Sequence, residues 1–386
     1  MQQPWNNPGT TRLQPVWTQP LPAAAEKPLN ATTLILSIGG GVLAFASLVF
    51  VLPFLLRNTG TSGFFYGFLA SLVPLAVVLG AVYLMDRWEP EPKRLLVFAL
   101  LWGATVSIAT TTLIQPTFMA LFGPRGGSKT EYLNFLATVE APVVEEFSKS
   151  LGLLVLILVA RKYFDGPVDG VVFAFTIAAG FAFTENILYF GRQYAESATV
   201  GPDFWVLVFM RGILSPFAHA IFTGTTGLLM GLAARQWNTA LSVAAFVVGL
   251  IPAMFLHNRW NSMGEDFLWL YLVVQFPIFV AAVVGFILLR VHESKLTRKR
   301  LSEYAAAGWF TPQEVQMLAT GAGRKAARRW SQSVGRYEPM KAFIRAATSL
   351  AFTRQRMYSG RSINDHQRDE QRLLEQITVL RAAVVN

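Results

Sequence analysis

The chain of 386 residues is 53% hydrophobic and only 15% charged, and it has no cysteine; an ordinary soluble domain carries about a quarter charged residues. The missing thiols exclude disulfides, thiolate metal sites and a cysteine nucleophile. Lys and Arg outnumber Asp and Glu by 33 to 23, but from Arg290 onward there are 18 basic and 8 acidic residues, so residues 1–289 hold 15 of each and are neutral.

Residues 1–31, rich in Pro, Gln, Asn and Trp, have no apolar core and read as a disordered lead-in rather than a signal peptide. A bilayer span needs about 20 predominantly apolar residues. Eight stretches meet that need: Thr32–Leu56, Phe64–Met85, Leu95–Phe122, Val139–Ala160, Val168–Phe190, Phe204–Ala233, Thr239–His257 and Phe267–Leu289. The reading is therefore an all-α polytopic membrane protein, with about eight transmembrane helices in residues 32–290 enclosing a polar intramembrane cavity. Eight spans put both termini on one side. Loop cations are nearly balanced, but Arg12, Lys27 and the juxtamembrane Arg290, Lys295, Arg298, Lys299 and Arg300 place both termini in the cytoplasm by the positive-inside rule.

Residues 291–386 form a basic, partly helical cytoplasmic tail. Thr311-Pro312-Gln313-Glu314 carries helix-start chemistry, and a second helix follows Asn364 through Leu373, Leu374, Ile377 and Leu380. Between them, Arg324-Lys325 and Arg328-Arg329-Trp330 suit contact with anionic lipid, or simply a solvated tail. No recognisable nucleic-acid module is present, and no nucleic-acid partner is expected.

Ionisable residues in the middle of a span cost about 2.5–3.5 kcal/mol each on insertion scales and usually mark function. The fourth span contains Glu145, Glu146 and Lys149, with Glu145 and Lys149 at i,i+4 on one face. Such charges also suit a helix N-terminus at the interface, but three other spans supply matching groups. The fifth carries Glu185-Asn186, the sixth Arg211 and His219, and the seventh His257 with Asn261 four residues on. At ~1.5 Å per residue, Glu145 and Glu146 lie roughly 10 Å into their span and Glu185 about 8 Å from the end of the antiparallel next one. With His257 they share the extracytoplasmic leaflet, and His219 sits nearer the midplane, where Pro216 can kink its helix.

Glutamates and imidazoles gathered in a membrane suit hydrolysis or proton handling. A buried carboxylate can act as a general base on water, imidazole N–H groups can stabilise an oxyanion, and Glu and His are zinc ligands. The same groups could line a proton or ion path in a coupled transporter, or be incidental to a scaffold with a basic tail. The HExxH and GxGD motifs of other intramembrane proteases are absent.

Four motifs stand in order: EExxK at Glu145–Lys149, FxxxE at Phe181–Glu185, His219, and HxxxN at His257–Asn261. They follow an acidic, proline-containing loop at Asp86–Pro92. In this, residues 64–290 resemble the PrsW family of intramembrane proteases, relatives of the CAAX prenyl-endopeptidase and bacteriocin-processing superfamily. The resemblance implies a protease of the bacterial cytoplasmic membrane, usually a metalloprotease, that cuts a membrane-anchored protein such as an anti-sigma factor in envelope-stress signalling. It implies Glu145 and Glu146 as catalytic carboxylates, with Glu185, His219, His257 and Asn261 as their partners. Lys149 and Asn186 become orienting groups, and Glu185, His219 and His257 the ligands of any zinc ion. Oligomeric state is not addressed by any motif.

Overall fold

The computed structural model describes residues 31–264 and 267–385, except the side chains of 31–37 and of Phe267. The disordered lead-in expected for residues 1–31 lies, but for Ala31, outside the described residues. All regular structure among the described residues is helical, and the chain divides into two compact units, one within Leu29–Phe286 and one from Ile287 to Asn386.

The first unit is built around α6 (Pro167–Ser197), whose helical faces meet α1 (Ala31–Met85), α2 (Lys93–Leu101), α5 (Ala141–Val159) and α8 (Ala218–Ala234). Lipid offers apolar side chains no driving force to leave it, so membrane helices associate by close packing at small residues. That is how α6 is used. Gly170 lies against the Gly227 backbone of α8, Gly180 against the Leu100 carbonyl of α2, and Gly103 against the Ile177 carbonyl of α6, each with no room for a Cβ atom.

Helix α1 contains both of the first two expected spans. They meet at Gly60, whose φ of 67° and ψ of 170° suit only glycine. Val51 and Leu55 cluster with Phe181 and Ile187, and Thr59 touches Gly191. Beyond the junction, Gly67 approaches Ile187 and Gly191, while Val78 clusters with Ala178 and Ala179. The two halves therefore run along α6 in opposite senses.

Six helices among the described residues are long and apolar enough to cross a membrane. The count differs from the eight read from the sequence for two reasons. The count of six takes Ile38–Met85 as one, although its two halves fold back on each other at Gly60, and α5 carries Glu145, Glu146 and Lys149 within its apolar length. Three of the crossing helices contain a π-helical turn: Trp102–Ser107 between α2 and α3 (Ile108–Phe122), Met210–Leu214 between α7 (Pro202–Phe209) and α8, and Tyr271–Gln275 between α10 (Phe267–Leu270) and α11 (Phe276–Ala306). A fourth, Leu136–Glu140, joins the short α4 (Lys129–Phe135) to α5. Such turns concentrate at functional sites. The break expected near Pro216 is real: the helix stops at Leu214, Ser215 leaves helical geometry, and α8 starts at Ala218.

The second unit corrects the picture of a tail with two helical stretches. Four helices follow the end of α11: α12 (Pro312–Leu318), α13 (Gly321–Ser333), α14 (Tyr337–Met357) and α15 (Ile363–Val385). They enclose a core of their own, with Leu301, Leu318, Met340, Ala347, Leu350 and Ile377 fully buried. Thr311 caps α12 and closes a reciprocal pair of hydrogen bonds with Glu314, as its sequence foretold. Several cations work inside the fold rather than on its surface. Arg324 is buried and donates to the Leu318 carbonyl and to Thr348, and Arg381 pairs with Glu314.

Candidate active site

Helix α5 brings Glu145, Glu146 and Lys149 to one side because residues three and four apart share a helical face. It is held in rotation by Trp102, whose indole donates to the Ser148 carbonyl at 3.1 Å and packs on Gly152. Its N-terminal approach is held by two asparagines of α9 (Thr239–Asn261). Asn258 donates to the Thr138 carbonyl at 2.5 Å and Asn261 to the Ala137 carbonyl at 2.7 Å, both in the π turn Leu136–Glu140. Asn261 thus binds backbone, apart from the carboxylate–imidazole group that it was expected to join.

The remaining expected residues meet. Lys149 Nζ donates to Glu146 Oε1 at 2.6 Å and to His219 Nδ1 at 3.2 Å, and lies 3.6 Å from Glu145 Oε2. It also stands 4.3 Å from the centre of the Phe181 ring, a cation–π contact from the first residue of the FxxxE motif. Glu146 accepts three hydrogen bonds in all: Oε1 also accepts from His257 Nδ1 at 2.9 Å, and Oε2 accepts from the Thr223 hydroxyl at 2.8 Å. His219 Nε2 lies 2.9 Å from Glu185 Oε2, and Arg211 donates to that same oxygen at 2.7 Å and to Asn186 Oδ1 at 2.7 Å. The two imidazole rings stand edge to face with centroids 5.1 Å apart, and His257 stacks on Phe222.

The protonation pattern follows from donor counting. An ammonium only donates, so His219 Nδ1 must accept from Lys149 and Nε2 must carry the hydrogen given to Glu185. An ionised carboxylate only accepts, so His257 Nδ1 gives its hydrogen to Glu146, leaving the Nε2 lone pair 3.8 Å from Glu145 Oε2. That Glu145 oxygen is buried and has no hydrogen-bond partner. Glu145, His219 and His257 offer ligand atoms that all lie within 4.8 Å of one another.

The donor set fits zinc. Two imidazoles and a carboxylate are a catalytic zinc triad by type, and each imidazole is backed by a second carboxylate, Glu146 or Glu185, the usual outer support of histidine ligands. This grouping differs from the sequence expectation, which had Glu185 as the carboxylate ligand. Glu185 instead accepts from Arg211 and His219, and Glu145 takes its place among the three. One member of the cluster escaped the sequence reading, and another was seen without its partner. Thr223 follows His219 by four residues, the helical spacing that could have flagged it, while Arg211 was visible as a lone charge in an apolar span but not as the partner of Glu185.

Protein covers the cluster unevenly. Glu146, Lys149 and His257 have side chains 0%, 0% and 2% exposed, whereas Glu145, His219, Glu185 and Arg211 keep 10%, 11%, 16% and 22%. The first three form a sealed floor and the others an open rim.

The six helices long and apolar enough to cross a membrane surround a Glu–His group able to hold a metal ion, the kind of donor set that metal-dependent hydrolases use. The profile of the PrsW family intramembrane metalloproteases matches residues 91–285, half of the chain, and the chain belongs to that family. The relatives agree. Protease PrsW of Clostridioides difficile is 26% identical over 231 residues, 60% of this chain and 90% of the relative. Protease PrsW of Bacillus subtilis is 25% identical over 212 residues, 55% of this chain and 88% of the relative. That of Geobacillus kaustophilus is 27% identical over 164 residues, 42% of this chain and 65% of the relative. No solved structure matches the chain. The protein is therefore an intramembrane protease of a metalloprotease family, and transport is not the favoured reading of its Glu/His cluster.

Proposed function

We propose that the protein hydrolyses a peptide bond of membrane-anchored protein substrates at the Glu145–His219–His257 cluster. The observation that carries this reading is that Glu145, His219 and His257 bring ligand atoms within 4.8 Å of one another, beside a buried Glu145 oxygen that lacks a hydrogen bond. Glu145, His219 and His257 would hold the metal, which in such sites polarises the scissile carbonyl and lowers the pKa of water. The chain's own groups divide the remaining work. Glu146 and Glu185 hold the two imidazoles in orientation, and Lys149 offsets the charge of the paired carboxylates. With Oε2 turned to the metal, the second oxygen of Glu145 would accept the proton of the attacking water and return it to the leaving amine, since Glu146 already accepts three hydrogen bonds and Glu185 two.

The finer reading places about eight spans around a polar cavity in a bacterial cytoplasmic membrane, with both termini in the cytoplasm. Cleavage then falls near the extracytoplasmic face, and a single-span anti-sigma factor is the substrate type that family membership suggests. The exposed cations Lys295, Arg298, Lys299, Lys325 and Arg329 of the basic C-terminal unit suit anionic lipid. New protein N-termini compared between membranes carrying the wild type and Glu145→Gln test the reading. Products made only by the wild type, and suppressed by a chelator, are expected. Identical N-terminal profiles under both rest and envelope stress would overturn it.

A further inference from the structure

The outermost charged residue of the cluster is not one that the hydrolytic reading uses. Arg211 lies in the π turn Met210–Leu214, and three contacts fix its guanidinium on α6. Nη2 donates to Glu185 Oε2 at 2.7 Å, Nε donates to Asn186 Oδ1 at 2.7 Å, and the plane lies 3.9 Å from the centre of the Tyr189 ring. Glu185 and Tyr189 are four residues apart and Asn186 is the neighbour of Glu185, so the fork grips one turn of α6 at three points. The π turn itself is tied down at its end, where the Tyr271 hydroxyl donates to the Leu214 carbonyl at 2.8 Å.

The oxygen that Arg211 grips is the one that receives the hydrogen of His219 Nε2. Free Glu rotates about three side-chain bonds, and a glutamate near an open rim has room to do so. With the guanidinium in place, Oε2 has one position. A hydrogen bond from the imidazole to that fixed oxygen puts the hydrogen of His219 on Nε2, the same choice that Lys149 favours by donating to Nδ1 at 3.2 Å.

We propose that Arg211 is a positioning residue that acts through Glu185, together with the Lys149 donor at Nδ1, to hold His219 in its Nε2–H tautomer. Lysine cannot substitute fully, because an ammonium has no planar fork with which to reach Glu185 and Asn186 together. The consequence for metal binding rests on the metalloprotease reading; the place of the hydrogen does not.

The test uses the full-length protein in detergent, labelled with 15N-histidine and free of metal. The chain has only 4 histidines, so the His219 signals are assigned by loss in His219→Gln. The wild type is expected to show His219 as the Nε2–H form. Arg211→Met should lower the Nε2–H fraction measurably although Lys149 still donates to Nδ1, with Arg211→Lys and Asn186→Leu intermediate, so that the milder variants decide the matter if Arg211→Met does not fold. Titration with zinc alone should show affinity lowered about 10–100-fold in Arg211→Met, and no further loss when Arg211→Met is added to Glu185→Gln. A His219 spectrum unchanged from the wild type in every folded variant would overturn the proposal. Failure of the wild-type protein to bind zinc would count against the metalloprotease reading instead, and the spectra would still decide the role of Arg211.

Discussion

Glu145 and Glu146 are adjacent in sequence and opposite in circumstance. Glu146 holds Lys149, His257 and Thr223 with no surface exposed, whereas Glu145 has a buried oxygen without a hydrogen bond and a side chain open on one side. Glu145→Gln should lower cleavage by about 10²–10⁴-fold while the melting temperature in detergent stays near that of the wild type. Glu146→Gln should lose cleavage and also destabilise the protein by roughly 3–5 kcal/mol, because it breaks a buried ion pair and leaves Lys149 under-compensated. Equal stability of the two variants would show that Glu146 is not the hub of the site. A third carboxyl, Glu91, lies in the loop between α1 and α2, buried, with Oε2 lacking a hydrogen bond. Burial, and then the charges of Asp169, Glu89, Asp165 and Asp86, push it well above its ordinary range. An acid raised in this way favours the folded state below the unfolded value, about 4.3, and that contribution is lost as pH rises through its folded value. Glu91→Gln should therefore melt at a higher temperature than the wild type at pH 8, with the gap closing at pH 4; the reverse trend would refute this account. At this scale the sequence was informative wherever a charge stood in an apolar run, as with Glu145, Glu185 and His219. It was silent on pairing: nothing in the spacing of Arg211 and Glu185 says that they touch, and Asn261 looked like a partner of His257 when its amide serves a backbone carbonyl.

Helices were legible to the extent that their composition was simple. The apolar runs of α6, α8 and α9 announce themselves, and Thr311 and Glu314 mark the start of α12 by capping chemistry that is local in sequence. Two kinds of feature were hidden. One is the junction within α1, where the chain folds back at Gly60, whose φ of 67° and ψ of 170° leave helical geometry. Gly60→Ala should cost about 1–3 kcal/mol, although no atom stands within 4 Å of the added Cβ. Wild-type stability of that variant would mean that the junction can adopt another backbone path. The other is the core of the C-terminal unit. Its apolar residues, such as Met340, Ala347 and Leu350, are interleaved with Lys341, Arg345 and Arg354 on α14, and high charge masked the stripe that packs inward.

The whole molecule joins a neutral membrane unit to a cationic one with its own buried centre. The cluster of Glu145, Glu146, Lys149, Glu185, His219 and His257 lies entirely within Leu29–Phe286, so truncation after Ser302 should leave cleavage measurable in stably inserted protein. Complete loss of cleavage in that truncation would make the C-terminal unit part of the enzyme. Leu350→Ala, at a position with no exposure, should cost about 2–5 kcal/mol and raise hydrogen exchange in α13 to α15 while sparing α6. Uniform loss of protection would show that the two units unfold together. The π turns carry a different consequence, one of counting rather than chemistry. Phe204 and Val208 anchor α7 on Phe190, and three residues later Arg211 reaches Glu185. Removing Met210 would change no charge and no ligand, yet it would take the extra residue out of the π turn and draw Arg211 back one place along the helix. Length at that turn is thus itself inherited information: a frame-preserving deletion of one codon there would silence the guanidinium as surely as replacing it.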